Sequence, residues 1–162
     1  MRRYFFMNLG HIYAISGAGL AVILAGIGSV LGVAMAGQSA AGVVAEDPDK
    51  FGQVLLLQAL PGTQGIYGML IAFILMNKIG LLGTPIPVDA AQGLQLFAAC
   101  MPIAILGLIS AYYQGKTASA SIAMVAKRPE AAGKGLTMTV LVETYAVLAL
   151  LASILMINGI AL

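Results

Sequence analysis

Glu143 is the acidic residue whose position in this 162-residue sequence needs a chemical explanation, because it lies inside a long apolar run. A carboxylate at the centre of a membrane helix costs about 2.5 kcal/mol or more unless it is protonated, paired or bound to a cation. The other five acids fall between apolar runs, as solvated loop charges do: Glu46, Asp47, Asp49, Asp89 and Glu130. We therefore expect Glu143 to be a functional residue that handles ions.

A second polar group lies in another apolar segment, at residues 60–67. Four residues with the spacing i, i+3, i+4, i+7 share one helix face here: Leu60, Thr63, Gln64 and Tyr67. Pro61 has no N–H and loosens the helical hydrogen bonding around it, so backbone as well as side-chain oxygens become available. The pattern fits an oxygen-rich binding face, and it also fits a polar clamp between two helices beside a proline kink.

The third polar feature is the pair Gln114 and Lys116, which also interrupts an apolar segment. On a helix the two side chains point about 200° apart, since each residue turns the chain by about 100°. Only one of them can face Glu143. Either Gln114 faces the carboxylate and Lys116 points away, or Lys116 is the counter-ion and Glu143 belongs to a structural salt bridge.

The elements that must position these residues are membrane helices. The chain is 60% hydrophobic and only 9% charged, whereas roughly a quarter of the residues in soluble domains are charged. Four apolar segments, 11–45, 52–77, 90–126 and 133–161, each exceed the ~20 residues that cross a bilayer core. The N-terminus has the charged start of a signal peptide, but the first apolar segment far exceeds the ~7–15 residues of such a signal, so we interpret it as a retained helix.

The breaks between these segments predict two tandem helical hairpins, and hence an all-α membrane protein with four transmembrane helices. The first hairpin covers residues 1–79, a linker covers 80–89, and the second hairpin covers 90–162. The hairpins resemble copies of each other, because Pro48 precedes Gln64 by 16 residues and Pro129 precedes Glu143 by 14. Gln64 then holds roughly the place of Glu143, and parallel repeats put the two charged turns on one side of the membrane.

The distribution of positive charge predicts the orientation. One side carries five basic residues: Lys50, Lys116, Lys127, Arg128 and Lys134. The other side carries three: Arg2, Arg3 and Lys78. This excess favours cytoplasmic charged turns, with the linker and both termini outside the cell.

Small residues recur every four positions in the first and third segments. The rows are Gly17, Ala21, Ala25 and Ser29, then Gly28, Gly32, Ala36 and Ala40, and in the third segment Gly107, Ala111, Gly115 and Ser119. Such rows let membrane helices approach closely. They fit packing within one subunit, and they fit a crowded wall where many copies converge on an axis, which is the interpretation that we favour.

The remaining candidate groups indicate no further chemistry. Cys100 stands alone in an apolar stretch, so we expect a buried structural thiol. A metal role for His11, the one histidine, would need partners that the sequence does not offer. The net charge is only +2 and the basic residues are scattered, which excludes a nucleic-acid-binding surface.

Three runs of this sequence, taken together, resemble a known family. Residues 61–68 (Pro-Gly-Thr-Gln-Gly-Ile-Tyr-Gly), 114–116 (Gln-Gly-Lys) and 142–146 (Val-Glu-Thr-Tyr-Ala) are similar to the rotor-ring proteolipid of bacterial V-type ATPases. The similarity is greatest to the sodium-translocating branch and covers nearly the whole chain. Residues 80–87 of the linker and the N-terminus with its two arginines are not part of this resemblance.

The resemblance implies a homo-oligomeric ring in the membrane, turned against a stator subunit that supplies an arginine and attached to central-stalk subunits at the cytoplasmic loops. It implies that the chain is not itself a catalyst, since ATP is hydrolysed in a separate soluble head. It also implies the Na⁺ ligands: the Glu143 carboxylate, side-chain oxygens of Thr63, Gln64 and Gln114, and the Leu60 carbonyl. In such sites Tyr67 donates a hydrogen bond that steadies the glutamate.

Two alternatives remain open beside a sodium ring. A proton ring needs only the carboxyl group, whereas a hard cation such as Na⁺ needs several oxygen ligands, so the extra oxygens favour Na⁺. A small proton-coupled secondary transporter that uses Glu143 would function as a dimer and would bind its substrate with aromatic residues such as Tyr145 and Tyr67. A purely structural scaffold leaves Glu143 unexplained.

Overall fold

The structure is a computed structural model that describes residues 8–162, and the regular secondary structure within this range is all helical. Five α-helices form: α1 (Leu9–Glu46), α2 (Phe51–Ala59), α3 (Thr63–Lys78), α4 (Ala90–Lys127) and α5 (Ala132–Gly159). Short 3₁₀ turns at Pro48–Lys50, Leu60–Gly62 and Pro129–Ala131 complete the element order. Because α2 and α3 continue each other, the described chain has four helical spans long and apolar enough to cross a membrane, which confirms the all-α prediction.

The two charged turns lie at the same end of the molecule. Pro48 and Pro129 each begin a 3₁₀ turn, where the missing N–H of proline costs no hydrogen bond. Lys50 pairs with Asp47 at 3.1 Å, and its Nζ donates to the carbonyl of Ala126 at 2.8 Å. This bond joins the first turn to the end of α4, as expected for parallel repeats.

The connection between the hairpins is a short ordered loop at residues 79–89. Gly80 has a φ of +71°, and a Cβ there would collide with the Thr84 carbonyl, so the loop requires glycine at this position. Asp89 then begins α4 with a reciprocal capping box to Gln92. The assignment of residues 80–89 as a linker outside the cell stays a prediction.

Close contact between α1 and α4 forms the centre of the molecule. A Cβ added at Gly28 would lie 2.6 Å from the Cα of Leu108, and one added at Gly17 would lie 2.7 Å from the Cα of Phe97. Glycine at these positions lets the two backbones touch, and touching backbones gain dispersion contacts that do not depend on the hydrophobic effect.

The rows of small residues are therefore used within the chain. Every residue of the two α1 rows is buried, and three of the four in the α4 row are buried as well. Gly68 of α3 packs against Ala21 and Ala25 of the first row, so α3 also lies on α1. Packing inside one subunit accounts for the rows. Contacts between many copies around an axis, the interpretation that we favoured from the sequence, are not needed to explain them.

We predict that Gly28→Ala destabilises the fold by about 1–3 kcal/mol, because its methyl group must push apart two helix backbones that cannot yield locally. The temperature at which the detergent-solubilised protein unfolds measures this effect. Gly42→Ala is the matched control on the same helix, since a Cβ there meets nothing within 4 Å. Equal unfolding temperatures for the two variants would show that the α1–α4 contact is not a tight constraint.

Candidate functional site

The second span is interrupted where its polar residues begin. Pro61 lies in the 3₁₀ turn between α2 and α3, and its ring packs against Gly32 of α1, where a Cβ would lie 2.6 Å from that of the proline. The Leu60 carbonyl accepts a hydrogen bond from Thr63 Oγ1 at 3.0 Å. The turn therefore brings a backbone oxygen and a hydroxyl oxygen to the same point.

Two buried glutamines join α3 to α4. Gln64 and Gln114 are both 0% exposed. Gln64 Nε2 donates to Gln114 Oε1 at 2.5 Å and to Ser110 Oγ at 3.3 Å. Gln114 Nε2 in turn donates to the Thr139 carbonyl at 3.2 Å and to Glu143 Oε2 at 3.4 Å. Both amide groups thus use their N–H groups on oxygen acceptors of the protein.

Glu143 lies at the outer edge of this polar group. Tyr67 Oη donates to Glu143 Oε1 at 2.5 Å, and Gln114 contacts the other carboxylate oxygen. The carboxylate is half-buried and borders a shallow apolar groove lined by Val140, Thr144, Val147 and Leu148. One side of the carboxylate therefore contacts polar groups of its own subunit, and the other side faces the groove on the outer surface of α5.

Lys116 does not pair with Glu143. Its Nζ lies 4.5 Å from the ring centroid of Tyr112 and 5.4 Å from that of Tyr113, a cation–π arrangement on the exposed side of α4. Among residues 8–162 the ion pair found joins Lys50 to Asp47 instead. Gln114, rather than Lys116, faces the carboxylate, so the geometry does not support the salt-bridge alternative.

The structure therefore brings together all six residues singled out in the sequence: Leu60, Thr63, Gln64, Tyr67, Gln114 and Glu143. Sequence analysis missed Ser110, which accepts from Gln64 and donates to the Val142 carbonyl at 2.9 Å. Its position four residues before Gln114 put it on the same helix face and was the available signal. Sequence analysis named Ser29 only as a small packing residue, whereas its Oγ also accepts a hydrogen bond from the backbone N–H of Gly65 at 2.8 Å.

The chemistry of this group is that of oxygen ligands around one carboxylate. In the described part of the chain no cluster of three or more His, Cys, Asp or Glu residues could hold a metal ion. Cys100 is buried in the core, as predicted, and His11 is held between Asn8 and the Ile86 carbonyl at the start of α1. Neutral amide, hydroxyl and carbonyl oxygens with one negative charge suit a hard monovalent cation or a proton.

Comparison with known proteins assigns the chain to a family. The ATP synthase C-subunit family matches twice, at residues 16–75 and 97–156, and the chain belongs to this family. Members form oligomeric rings, as the sequence predicted. The chain is thus a multi-pass membrane subunit of a rotary ATPase or ATP synthase, of the kind that its resemblance to rotor-ring proteolipids implied.

Two curated relatives show the same affiliation. The chain is 44% identical over 150 residues to the V-type sodium ATPase subunit K of Enterococcus hirae, covering 93% of each protein. It is 42% identical over 144 residues to the A-type ATP synthase subunit K of Methanocaldococcus jannaschii, covering 89% of this chain and 61% of the relative.

These matches support the interpretation of the hairpins as two copies. Both ends of the second family match lie 81 residues after those of the first, at 97 against 16 and at 156 against 75. Pro129 follows Pro48 by the same interval. At this constant interval, however, Glu143 corresponds to Gly62 in the 3₁₀ turn rather than to Gln64. Gln64 is thus offset by two residues from the place that the sequence analysis gave it, although its side chain reaches the same polar group.

We predict that Tyr67→Phe increases the rate at which a hydrophobic carbodiimide labels Glu143 several-fold. The Tyr67 hydroxyl donates a hydrogen bond to Glu143 Oε1, and its removal leaves that carboxyl oxygen free to react. Mass spectrometry of the labelled chain measures the rate. Tyr145→Phe is the control, because Tyr145 is exposed nearby on α5 and should leave labelling unchanged. A Tyr67 variant that labels at the unaltered rate would contradict the role of this hydrogen bond.

Proposed function

We propose that this chain is the membrane rotor-ring subunit of a V-type ATPase and that it carries Na⁺ across the membrane on Glu143. The observation that carries the proposal is a polar network inside membrane-length helices. It runs from the Leu60 carbonyl through Thr63, Gln64 and Gln114 to the Glu143 carboxylate. The 44% identity to a protein named as a V-type sodium ATPase subunit K supports the same ion.

The proposed ligands are the Glu143 carboxylate, the side-chain oxygens of Thr63, Gln64 and Gln114, and the Leu60 carbonyl. Their orientation supports this assignment, because the amide N–H groups of both glutamines already point at protein acceptors. An amide oxygen has two lone pairs, so Gln114 Oε1 can accept from Gln64 and still bind a cation. Tyr67 is not a ligand in this proposal and instead holds the carboxylate in place.

Sodium is favoured over a proton by the number of oxygens. A proton needs only the Glu143 carboxyl, whereas Na⁺ must replace its hydration shell with several oxygen atoms. Burying the two glutamines in a membrane helix bundle has a desolvation cost that a proton site does not require. Membership of the rotor-ring family does not support the alternative of a small secondary transporter.

The mechanism follows from charge neutralisation. A carboxylate that passes lipid must be neutral, and a bound Na⁺ neutralises Glu143 while the ring turns. At the stator, a positively charged arginine displaces the ion toward one aqueous half-channel, and an empty site refills from the other. ATP hydrolysis in a separate soluble head drives the rotation, so this chain is not itself catalytic. One carboxylate per four helices gives one ion per subunit, a low ion-to-ATP ratio that suits pumping.

The proposed orientation puts the charged turns in the cytoplasm, with the linker and the termini outside. The bond from Lys50 to Ala126 holds the two turns side by side, and together they present the surface proposed to contact the central-stalk subunits. Identical subunits and lipid cover the remaining exposed apolar faces of the helices.

The direct test of the proposal is Glu143→Gln. The amide keeps the shape and removes the charge, so rings should assemble normally and Na⁺ transport by reconstituted ATPase should be lost. Asp89→Asn is the matched acid-to-amide control, since asparagine caps α4 as well as aspartate does, and it should retain transport. Normal Na⁺ transport by the Glu143 variant would contradict the proposal.

The identity of the ion has its own test. A carbodiimide modifies a protonated carboxyl, so it should label Glu143 in Na⁺-free buffer at or below neutral pH. Millimolar Na⁺ should protect Glu143, because the bound ion displaces the proton. K⁺ at the same ionic strength is the control for salt. Labelling that depends on pH but not on Na⁺ would identify a proton ring instead.

Gln114 and Lys116 distinguish the proposed ligand set from a salt bridge. Gln114→Ala should weaken the apparent Na⁺ affinity by about tenfold, since one good polar contact is worth about 1–1.5 kcal/mol. Lys116→Ala is the control, because its ammonium group stacks on Tyr112 away from the site. Loss of affinity in the lysine variant alone would show that the ligand set is wrongly assigned.

A further inference from the structure

Ser110 of α4 is a buried hydroxyl that links the two halves of the site. It is 5% exposed and lies one helical turn before Gln114. Its Oγ accepts a hydrogen bond from Gln64 Nε2 at 3.3 Å and donates one to the Val142 carbonyl at 2.9 Å. Val142 immediately precedes Glu143, so this one hydroxyl connects α3, through α4, to the segment of α5 that carries the carboxylate.

The direction of these bonds is fixed by chemistry. A carbonyl oxygen can only accept, so the single hydrogen of the Ser110 hydroxyl is committed to Val142. Toward Gln64 the hydroxyl then presents lone pairs only, and these can face the N–H end of the amide but not its oxygen. The second N–H of Gln64 points at Gln114 Oε1. With both N–H groups taken, the oxygen of Gln64 is left facing Thr63 Oγ1, 3.3 Å away, on the side of the proposed ion.

We propose that Ser110 is a positioning residue for Na⁺ selectivity: its hydroxyl orients the Gln64 amide so that the oxygen, and not the N–H end, faces the cation. This inference rests on the proposed function. Ser110 does not itself contact the ion. Glu143 can accept a proton whichever way the Gln64 amide points, so the orientation set by Ser110 acts on Na⁺ and not on H⁺.

Removal of the Ser110 hydroxyl should therefore weaken Na⁺ binding and leave proton binding at Glu143 unchanged. In Ser110→Ala one buried N–H of Gln64 has no acceptor, and only the bond to Gln114 Oε1 still opposes rotation of the N–H end toward the site. A partial positive charge then faces the cation where an oxygen stood before. We expect the Na⁺ concentration for half-protection of Glu143 against carbodiimide to rise about tenfold, equivalent to about 1.4 kcal/mol. The pH dependence of labelling in Na⁺-free buffer should not change.

The experiment uses the intact purified ring with Na⁺ and the carbodiimide as probes. Ser110→Thr keeps a hydroxyl and should retain protection near the original Na⁺ concentration. Ser153→Ala removes another buried hydroxyl, which accepts from the backbone N–H of Ile103 away from the site, and should behave like the unaltered protein. If Ser110→Ala rings do not assemble, Ser110→Cys supplies a weaker hydrogen-bonding group of similar size and should also lose Na⁺ affinity.

Each outcome decides the matter. A Ser110→Ala ring with unchanged Na⁺ protection overturns the role of Ser110 and leaves the proposed function intact. A parallel shift of Na⁺ protection and of the pH profile, or equal losses in the alanine and threonine variants, also overturns it, because either result indicates displaced packing. Absence of Na⁺ protection in the unaltered ring overturns both proposals.

Discussion

The negative charge of Glu143 inside a membrane-spanning helix is the constraint on which the rest of the structure depends. Left alone, this carboxylate would oppose insertion of α5, so the chain places groups on one side of it that stabilise it in one position. Tyr67 and Gln114 each contact one carboxylate oxygen. The far side borders an apolar groove. Polar groups on one side and an open face on the other suit a charge that is held during rotation and exchanged at a fixed partner.

The close approach of α1 and α4 makes this arrangement geometrically accessible. Because glycines let the two backbones touch, α3, which packs on α1, and α5, which packs on α4, come close to each other. The ring of Pro61 packs against Gly32, and the backbone of Ala21 packs against Gly68. Gln64 and Gln114 then meet across a short gap with their amide groups fully buried. A wider helix pair would separate these amides and leave buried N–H groups without acceptors, which is costly in an apolar interior.

The sequence was sufficient to predict the membrane spans and the residues of the polar site. It was insufficient to predict the hydrogen bonds that orient those residues. Apolar length predicts membrane helices, and helical periodicity put Gln64 and Tyr67 on one face. The angle between Gln114 and Lys116 showed that only one of them could face Glu143. Periodicity identifies a face but not its partner, which is why the small rows of α1 were assigned to contacts between copies. Ser110 was missed because a serine in a membrane helix commonly bonds to its own backbone. Its bond to α5 depends on how closely the helices pack.

The central claim is that each subunit holds one Na⁺ at Glu143, and the most direct measurement is the equilibrium binding of radiolabelled Na⁺ to the purified ring. The account predicts one bound ion per chain for the unaltered protein. It predicts none for Glu143→Gln at the same Na⁺ concentration and with the ring intact. Rings of the unaltered chain that bind no Na⁺ would contradict the account, as would variant rings that still bind one ion per chain.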